Sequence, residues 1–165
     1  MEKRNVTVSA IVAAIVLIGD QLSKHWAETW LRTNGEYKIW DGVLHLRYVE
    51  NRGAAFGMMQ GGKWFFLAIT GIACAAMLYF LIKERKRLHF MMTFSLALLL
   101  SGAIGNLIDR VALGYVRDMI YVALIDFAVF NVADMAVTVG CCLLVLDLLF
   151  FKGKKYMEMM DKKPQ

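Results

Sequence analysis

The 165-residue chain has one proline, Pro164, placed in the terminal tail. Its apolar stretches therefore contain no residue that removes a backbone donor or breaks a helix. Cysteine is sparse: Cys74, Cys141 and Cys142, all inside apolar runs, with no CxxC and no neighbouring histidine. That excludes a disulfide framework and a zinc site and predicts small buried hydrophobes. The three histidines, His25, His45 and His89, are scattered and form no HExxH motif, so a zinc peptidase of that kind is also excluded. Ser23 and Lys24 are adjacent and diverge on a helix, while Ser95 and Ser101 have no lysine at their depth. A serine–lysine pair has no support. Charge is missing from long stretches: Trp64 to Ile82 and Phe90 to Ile108 contain none.

What is present is apolar. Hydrophobic residues make up 59% of the chain, and the mean hydropathy is +0.51. Soluble domains hold about 45–50% apolar residues. Four runs, about 6–22, 64–82, 90–108 and 132–151, approach the ~20 residues that cross ~30 Å of hydrocarbon as a helix. Only helices or closed barrels satisfy their backbone there, and runs of this length are not barrel strands. The first run, after Lys3-Arg4, also has the outline of a secretory signal peptide. It is long for that role, and no small-x-small cleavage site precedes a soluble domain.

The net charge of +5 is gathered in Lys3-Arg4, Lys83–Arg87 and Lys152–Lys155, each flanking an apolar run. This is the pattern of cytoplasmic loops, not of a nucleic-acid face. Both termini are then expected inside, with loops 23–63 and 109–131 outside. Trp26, Trp30, Trp40 and Trp64 all lie in or beside the first outer loop, at headgroup level. Within it, GVLHLRYVEN alternates as a half-buried strand, and NRGAAFG, Asn51 to Gly57, reads as a turn. The fold class expected is an all-α polytopic membrane protein: four transmembrane helices, one domain over 1–165, and a small β-containing extracytoplasmic segment at the membrane surface.

The polar residues converge on one depth. Asp20 ends the first span, Asn106, Asp109 and Arg110 end the third, and Asn131 and Asp134 begin the fourth. From Asp134 to Phe151 there remain about 26 Å of helix. Asp118 lies in the short second outer loop. An ionisable group at mid-bilayer costs about 2.5–3.5 kcal/mol on insertion scales and is usually functional. Several of these residues also have structural readings. Asp20 and Lys24 share a helix face and can pair. Asn106, Asp109 and Arg110 can finish a helix at the headgroups. Asn131 can cap the fourth span. Asp147, at the inner end, is expected to snorkel or pair near Lys152.

Paired carboxylates are the chemistry that remains. At 4 Å and an effective dielectric near 20, two charges repel by about 4 kcal/mol, or roughly three pK units. One aspartate then stays protonated and polarises a carbonyl while the other activates water. Spacing alone does not show that Asp118 and Asp134 meet. A small transporter or proton pathway remains the alternative, and it would need polar residues continuing through the inner half of the spans.

DQLSK at 20–24, NRGAAFG at 51–57, GAIGNLIDR at 102–110, VRDMI at 116–120 and FNVADMAVTVG at 130–140 resemble, in order, the motifs of the lipoprotein signal peptidase (signal peptidase II) family. The resemblance implies a bacterial inner-membrane aspartic endopeptidase. Such an enzyme removes the signal peptide from prolipoproteins just before the diacylglyceryl-modified lipobox Cys. It implies Asp118 and Asp134 as catalytic residues. Asn51, Gly53, Asn106, Arg110 and Asn131 would contact substrate or inhibitor, and Asp20, Lys24 and Asp109 would support the site. It implies no cofactor and no metal. Expected partners are lipidated prolipoproteins, membrane lipids and globomycin-type inhibitors. Met119, the proline-free FAVF at 127–130 and Met135 depart from the family pattern and bear on pocket shape. The loop at 36–60 is expected over the site, and 119–128 is expected as a movable interfacial helix.

Overall fold

The computed structural model describes residues 2–53 and 63–151, except the side chains of 2–5 and 63. Four helices are long and apolar enough to cross a membrane: α1 (Glu2–Trp26), α3 (Lys63–Glu84), α4 (Phe90–Ala112) and α5 (Val132–Phe150). The first continues past its expected limit through a π-helical turn, Ala27–Leu31, into a short helix, α2 (Arg32–Asn34). Gly35, at φ 82°, then turns the chain out of the helix, a conformation that costs glycine little.

The bundle is apolar outside and polar inside. On α1, Ile11, Ile15, Ile18 and Leu22 share one face and are 53, 63, 59 and 64% exposed, whereas Asp20 and Lys24 are fully buried. Lipid covers the first face, so the hydrophobic residues need no protein partner. Cys141 and Cys142 are likewise exposed and Cys74 is half-buried, contrary to the expected burial. They belong to the apolar outer surface rather than to a core.

Helix α4 is the hub, packed against α1, α3 and α5. Small residues let it approach α5. A Cβ on Gly102 would lie 2.4 Å from the carbonyl oxygen of Ala133, and one on Gly140 would lie 2.9 Å from that of Ser95.

At one end of the bundle lies a three-stranded antiparallel sheet in the order β1 (Tyr37–Trp40), β2 (Leu44–Asn51), β3 (Val116–Val122). Val49 pairs with Asp118, Glu50 with Arg117 and Asn51 with Val116. The expected strand in GVLHLRYVEN is β2. Its buried residue is His45 rather than a leucine. His45 accepts a hydrogen bond from the Gly42 amide at 3.0 Å and contacts Glu36. The sheet rests on the π turn through Ala27, Leu31 and Met119, with Leu46 and Tyr48 beside them.

Segment 119–128 is not the expected helix. The strand runs through Val122, a 3₁₀ turn spans Ala123–Ile125, and Ile120 and Phe130 then exchange backbone hydrogen bonds. Val, Ile and Tyr suit a pleated strand better than a helix, and the second edge of β2 was available to pair. Of the NRGAAFG turn, Asn51 to Gly53 are described, and 54–57 lie outside the described residues.

Candidate active site

Where α5 begins, its first amides lack partners within the helix. Asn131 supplies one. Its Oδ1 accepts from the Asp134 amide at 2.9 Å, and the Asp134 carboxylate accepts from the Asn131 amide at 3.1 Å, a reciprocal capping box. Asp20 supplies another from α1, its Oδ1 accepting from the Ala133 amide at 2.9 Å. A carboxylate there also meets the positive end of the helix dipole. Asp20 reaches that far because residue 105 is glycine: a Cβ would sit 2.6 Å from Asp20 Oδ2.

Asp134 is thus held by its own helix start, and a second donor completes it. Asn106 Nδ2 donates to Asp134 Oδ1 at 2.7 Å. The orientation of the Asn106 amide is set on its other side, where Oδ1 accepts from Lys24 Nζ at 2.9 Å and from Asn131 Nδ2 at 3.1 Å. Lys24 also pairs with Asp20 at 2.8 Å.

Asp118 arrives from β3, a strand rather than the loop expected. Asn131 Nδ2 donates to its Oδ1 at 2.6 Å and Asn51 Nδ2 to its Oδ2 at 3.0 Å. Gly53 donates its amide to Asn51 Oδ1 at 3.0 Å, fixing that amide in turn. Burial, and then the charge of Asp134, push the Asp118 carboxyl up to about 7, against the opposing hydrogen bonds from Asn51 and Asn131.

Asp118 and Asp134 therefore flank one asparagine and line one cavity of about 560 Å³, together with Asn51, Gly53, Asn106 and Arg110. Arg110 stands on the same wall, its guanidinium 5.1 Å from the Phe66 ring centroid. Phe127, Val137 and Val139 make the wall apolar elsewhere. Asn131 is fully buried behind the cavity, between the two carboxylates. Asp109 is also away from the cavity. It accepts three hydrogen bonds from Arg117: from the amide at 2.9 Å, Nε at 3.2 Å and Nη2 at 2.8 Å. Among the described residues no three His, Cys, Asp or Glu side chains gather closely enough to hold a metal ion.

Sequence reading missed Arg117, and with it Gln21 and Glu28, which bind its guanidinium at 3.2 and 2.9 Å. The available signal was the alternation of a strand, in which Arg117 and Asp118 must face opposite ways. Asp147 pairs, as expected of it, though the partner seen is one the sequence did not single out. It bonds His89 Nε2 at 2.8 Å, and Lys152 lies outside the described residues.

The fold holding this polar layer matches one class of solved structure, membrane enzymes. A bacterial membrane enzyme solved by the in meso method at 2.3 Å resolution superposes with a TM-score of 0.80 at 33% identity, covering 96% of this chain and 93% of that one. A second, solved at 1.9 Å, gives 0.78 at 34% identity over 87% and 94%. Within that class, the profile described as Signal peptidase (SPase) II matches residues 12–150. The lipoprotein signal peptidase of Streptococcus thermophilus (strain CNRZ 1066) is 46% identical over 142 residues, 86% of this chain and 92% of its own. That of Clostridioides difficile (strain 630) is 43% identical over 145 residues, 87% and 97%. The chain belongs to the signal peptidase II family. It is a membrane-spanning peptide-bond hydrolase with the function of a lipoprotein signal peptidase.

Proposed function

We propose that Asp118 and Asp134 are the catalytic pair, and that the bond they cleave is the one before the diacylglyceryl-modified lipobox Cys of a prolipoprotein. The observation that carries this reading is the bridge through Asn131, which holds two carboxylates on the wall of one cavity. The raised Asp118 carboxyl supports a single shared proton near neutral pH, resident on Asp118. Asp134, with an amide donor on each oxygen and the dipole of α5 behind it, is placed to act as the base.

The reaction follows. Asp134 takes a proton from water as the oxygen attacks the scissile carbonyl carbon. Asp118 gives its proton to the carbonyl oxygen, and a neutral tetrahedral diol forms. On collapse Asp134 protonates the departing nitrogen, the C–N bond breaks, and a diol hydroxyl returns a proton to Asp118. Asn51, Gly53, Asn106 and Arg110 face the substrate from the cavity wall. Asn131, Asp20, Lys24 and Asp109 hold the geometry.

The membrane supplies the register. A diacylglyceryl group keeps the substrate Cys at the bilayer surface, and the signal peptide continues into the lipid beside the apolar wall of Phe127, Val137 and Val139. The basic clusters Lys3-Arg4, 83–87 and 152–155 support a cytoplasmic loop between α3 and α4 and cytoplasmic termini. The sheet and the carboxylates then face outward from a bacterial cytoplasmic membrane, and the whole chain acts as one peptidase unit. A globomycin-type peptide would compete by lying between the carboxylates.

Cleavage of a diacylglyceryl-modified prolipoprotein by the purified protein tests the reading, with Asp118→Asn and Asp134→Asn alongside. Each variant should fold and fail to cleave. Normal cleavage by either removes that residue from the catalytic pair.

A further inference from the structure

Arg117 takes no part in the chemistry above. It is nevertheless among the most heavily bonded side chains near it. On β3 it lies on the face opposite Asp118, toward α1 and α4. Its amide, Nε and Nη2 hold Asp109, Nη1 holds Glu28 in the π turn, and Nη2 also meets Gln21. Asp109 is fully buried, so it must be paired. Two cations are within reach. Arg117 makes three hydrogen bonds to it, whereas Lys24 lies 3.5 Å away. Lys24 spends its shorter contacts elsewhere, at 2.8 Å on Asp20 and 2.9 Å on Asn106 Oδ1. That second contact, with the one from Asn131 Nδ2 at 3.1 Å, turns Asn106 Nδ2 toward Asp134.

We propose that Arg117 is a positioning residue for the carboxylate pair. By saturating Asp109 it leaves Lys24 free to orient Asn106 on Asp134, while its backbone aims Asp118 into the cavity. The effect passes through one carboxylate. Without Arg117, buried Asp109 has Lys24 as its remaining near cation. Lys24 is drawn across, Asn106 keeps one of the two contacts that orient its amide, that from Asn131, and its hydrogen bond to Asp134 is misaligned. Lys24 also withdraws from Asp118, whose ionised form it favours.

This inference rests on Asp118 and Asp134 being the catalytic pair, and the experiment separates the two. Initial rates on a lipidated prolipoprotein are measured against pH for the full-length protein in lipid. The set comprises Arg117→Gln, Arg117→Lys, the double variant Asp109→Asn/Arg117→Gln, and Asp118→Asn. Arg117→Gln should lower kcat by about thirtyfold, the scale of a small misplacement of a catalytic group. KM should stay within about twofold, because uniform binding is intact. The alkaline limb of its profile should move upward, as Asp118 is left without the Lys24 charge.

The double variant decides the mechanism. It removes the charge that attracts Lys24, so kcat should return to within about threefold of wild type, with the limb restored, a non-additive rescue expected of coupled neighbours. A tie that merely anchors β3 stays broken in the double variant, so a double variant as impaired as Arg117→Gln overturns the proposal. So does an Arg117→Gln protein with wild-type kcat and limb. If Arg117→Gln does not fold, Arg117→Lys and the double variant carry the same comparison. Arg117→Lys keeps the charge but not the three-point contact, and should show the same shift to a smaller extent. Cleavage by Asp118→Asn overturns the catalytic reading, and this inference with it. Inactive Asp118→Asn beside a fully active Arg117→Gln overturns this inference alone.

Discussion

The two ends of the bundle bury carboxylates in different ways. At the sheet end, Asp20, Asp109, Asp118 and Asp134 are linked through Lys24, Asn106 and Asn131, and each accepts hydrogen bonds on both oxygens, or pairs with lysine on one. At the opposite end Asp147 is fully buried with His89 on one oxygen, and its other oxygen has no partner among the described residues. The first is a network in which every member orients another. The second is a clasp between the start of α4 and the end of α5. A buried polar network specifies geometry only when it is fully satisfied. The difference therefore separates a region built for positioned chemistry from one that joins two helices. It also weakens the transporter alternative, since the stretches of the spans between the two ends carry no charge.

The comparison can be broken most decisively at the carboxylates. Asp118→Asn and Asp134→Asn should each cost at least about a thousandfold in kcat, the upper range for a lost acid or base. Asp147→Asn should cost less than about twofold, having no contact with the reacting atoms. Comparable losses at both ends in a cleavage assay would erase the distinction.

A pH profile sharpens it next. The Asp118 carboxyl lies at about 7 in the fold, against 3.8 ordinarily. Activity should fall as pH rises through about 7, when Asp118 loses the proton it gives to the carbonyl oxygen. Stability carries the same sign. The folded protein holds a proton that the unfolded chain has released, so the stabilisation is complete below 3.8 and is lost as pH rises through about 7. Asn51→Ala removes a donor that favours the ionised form, so the limb should move upward. A downward shift would contradict the geometry.

Packing gives a smaller effect. Gly105→Ala places a methyl 2.6 Å from Asp20 Oδ2 and 3.2 Å from Ala133 Cβ. Overpacking of that kind costs roughly 1–3 kcal/mol, and here it should also lower kcat by disturbing the Asp20–Lys24 pair. Gly19→Ala is the control, because nothing lies within 4 Å of its added Cβ. Thermal unfolding in detergent should separate the two, with Gly19→Ala at or above wild type. Smallest is His89→Ala. It leaves Asp147 without its partner and should lower stability by about 1–3 kcal/mol with cleavage unchanged. A cleavage defect there would show that the far clasp reaches the site.

Much of this was legible beforehand. The four spans were, because hydropathy is a local property and lipid demands about 20 apolar residues wherever a helix crosses. So was the pairing of Asp20 with Lys24, which needs only helical spacing, and the Asn131 cap. Asn106, Asp109, Asn131 and Asp134 could be placed in one layer from depth alone. Arg117 could not. Its importance depends on β3 being a strand, and a seven-residue run beside a helix end carries little period. His89 was equally hidden, since it lies 58 residues from Asp147. Gly105 was visible as a letter, but its role lies in the space that Asp20 fills.

The sequence by itself determined that this chain crosses a membrane four times, and that its costly polar residues share one depth. Both follow from the chemistry of lipid acting on residues one at a time or one turn apart. Only the tertiary structure decided which of those residues touch. The register of β3 on β2 turned Asp118 inward and Arg117 away. The close approach of α4 to α1 and α5, through glycine, let Asp20 and Asn106 reach the start of α5. Those contacts join segments up to 113 residues apart, and the facing of side chains across such distances is set by strand pairing and helix packing, which no local pattern encodes.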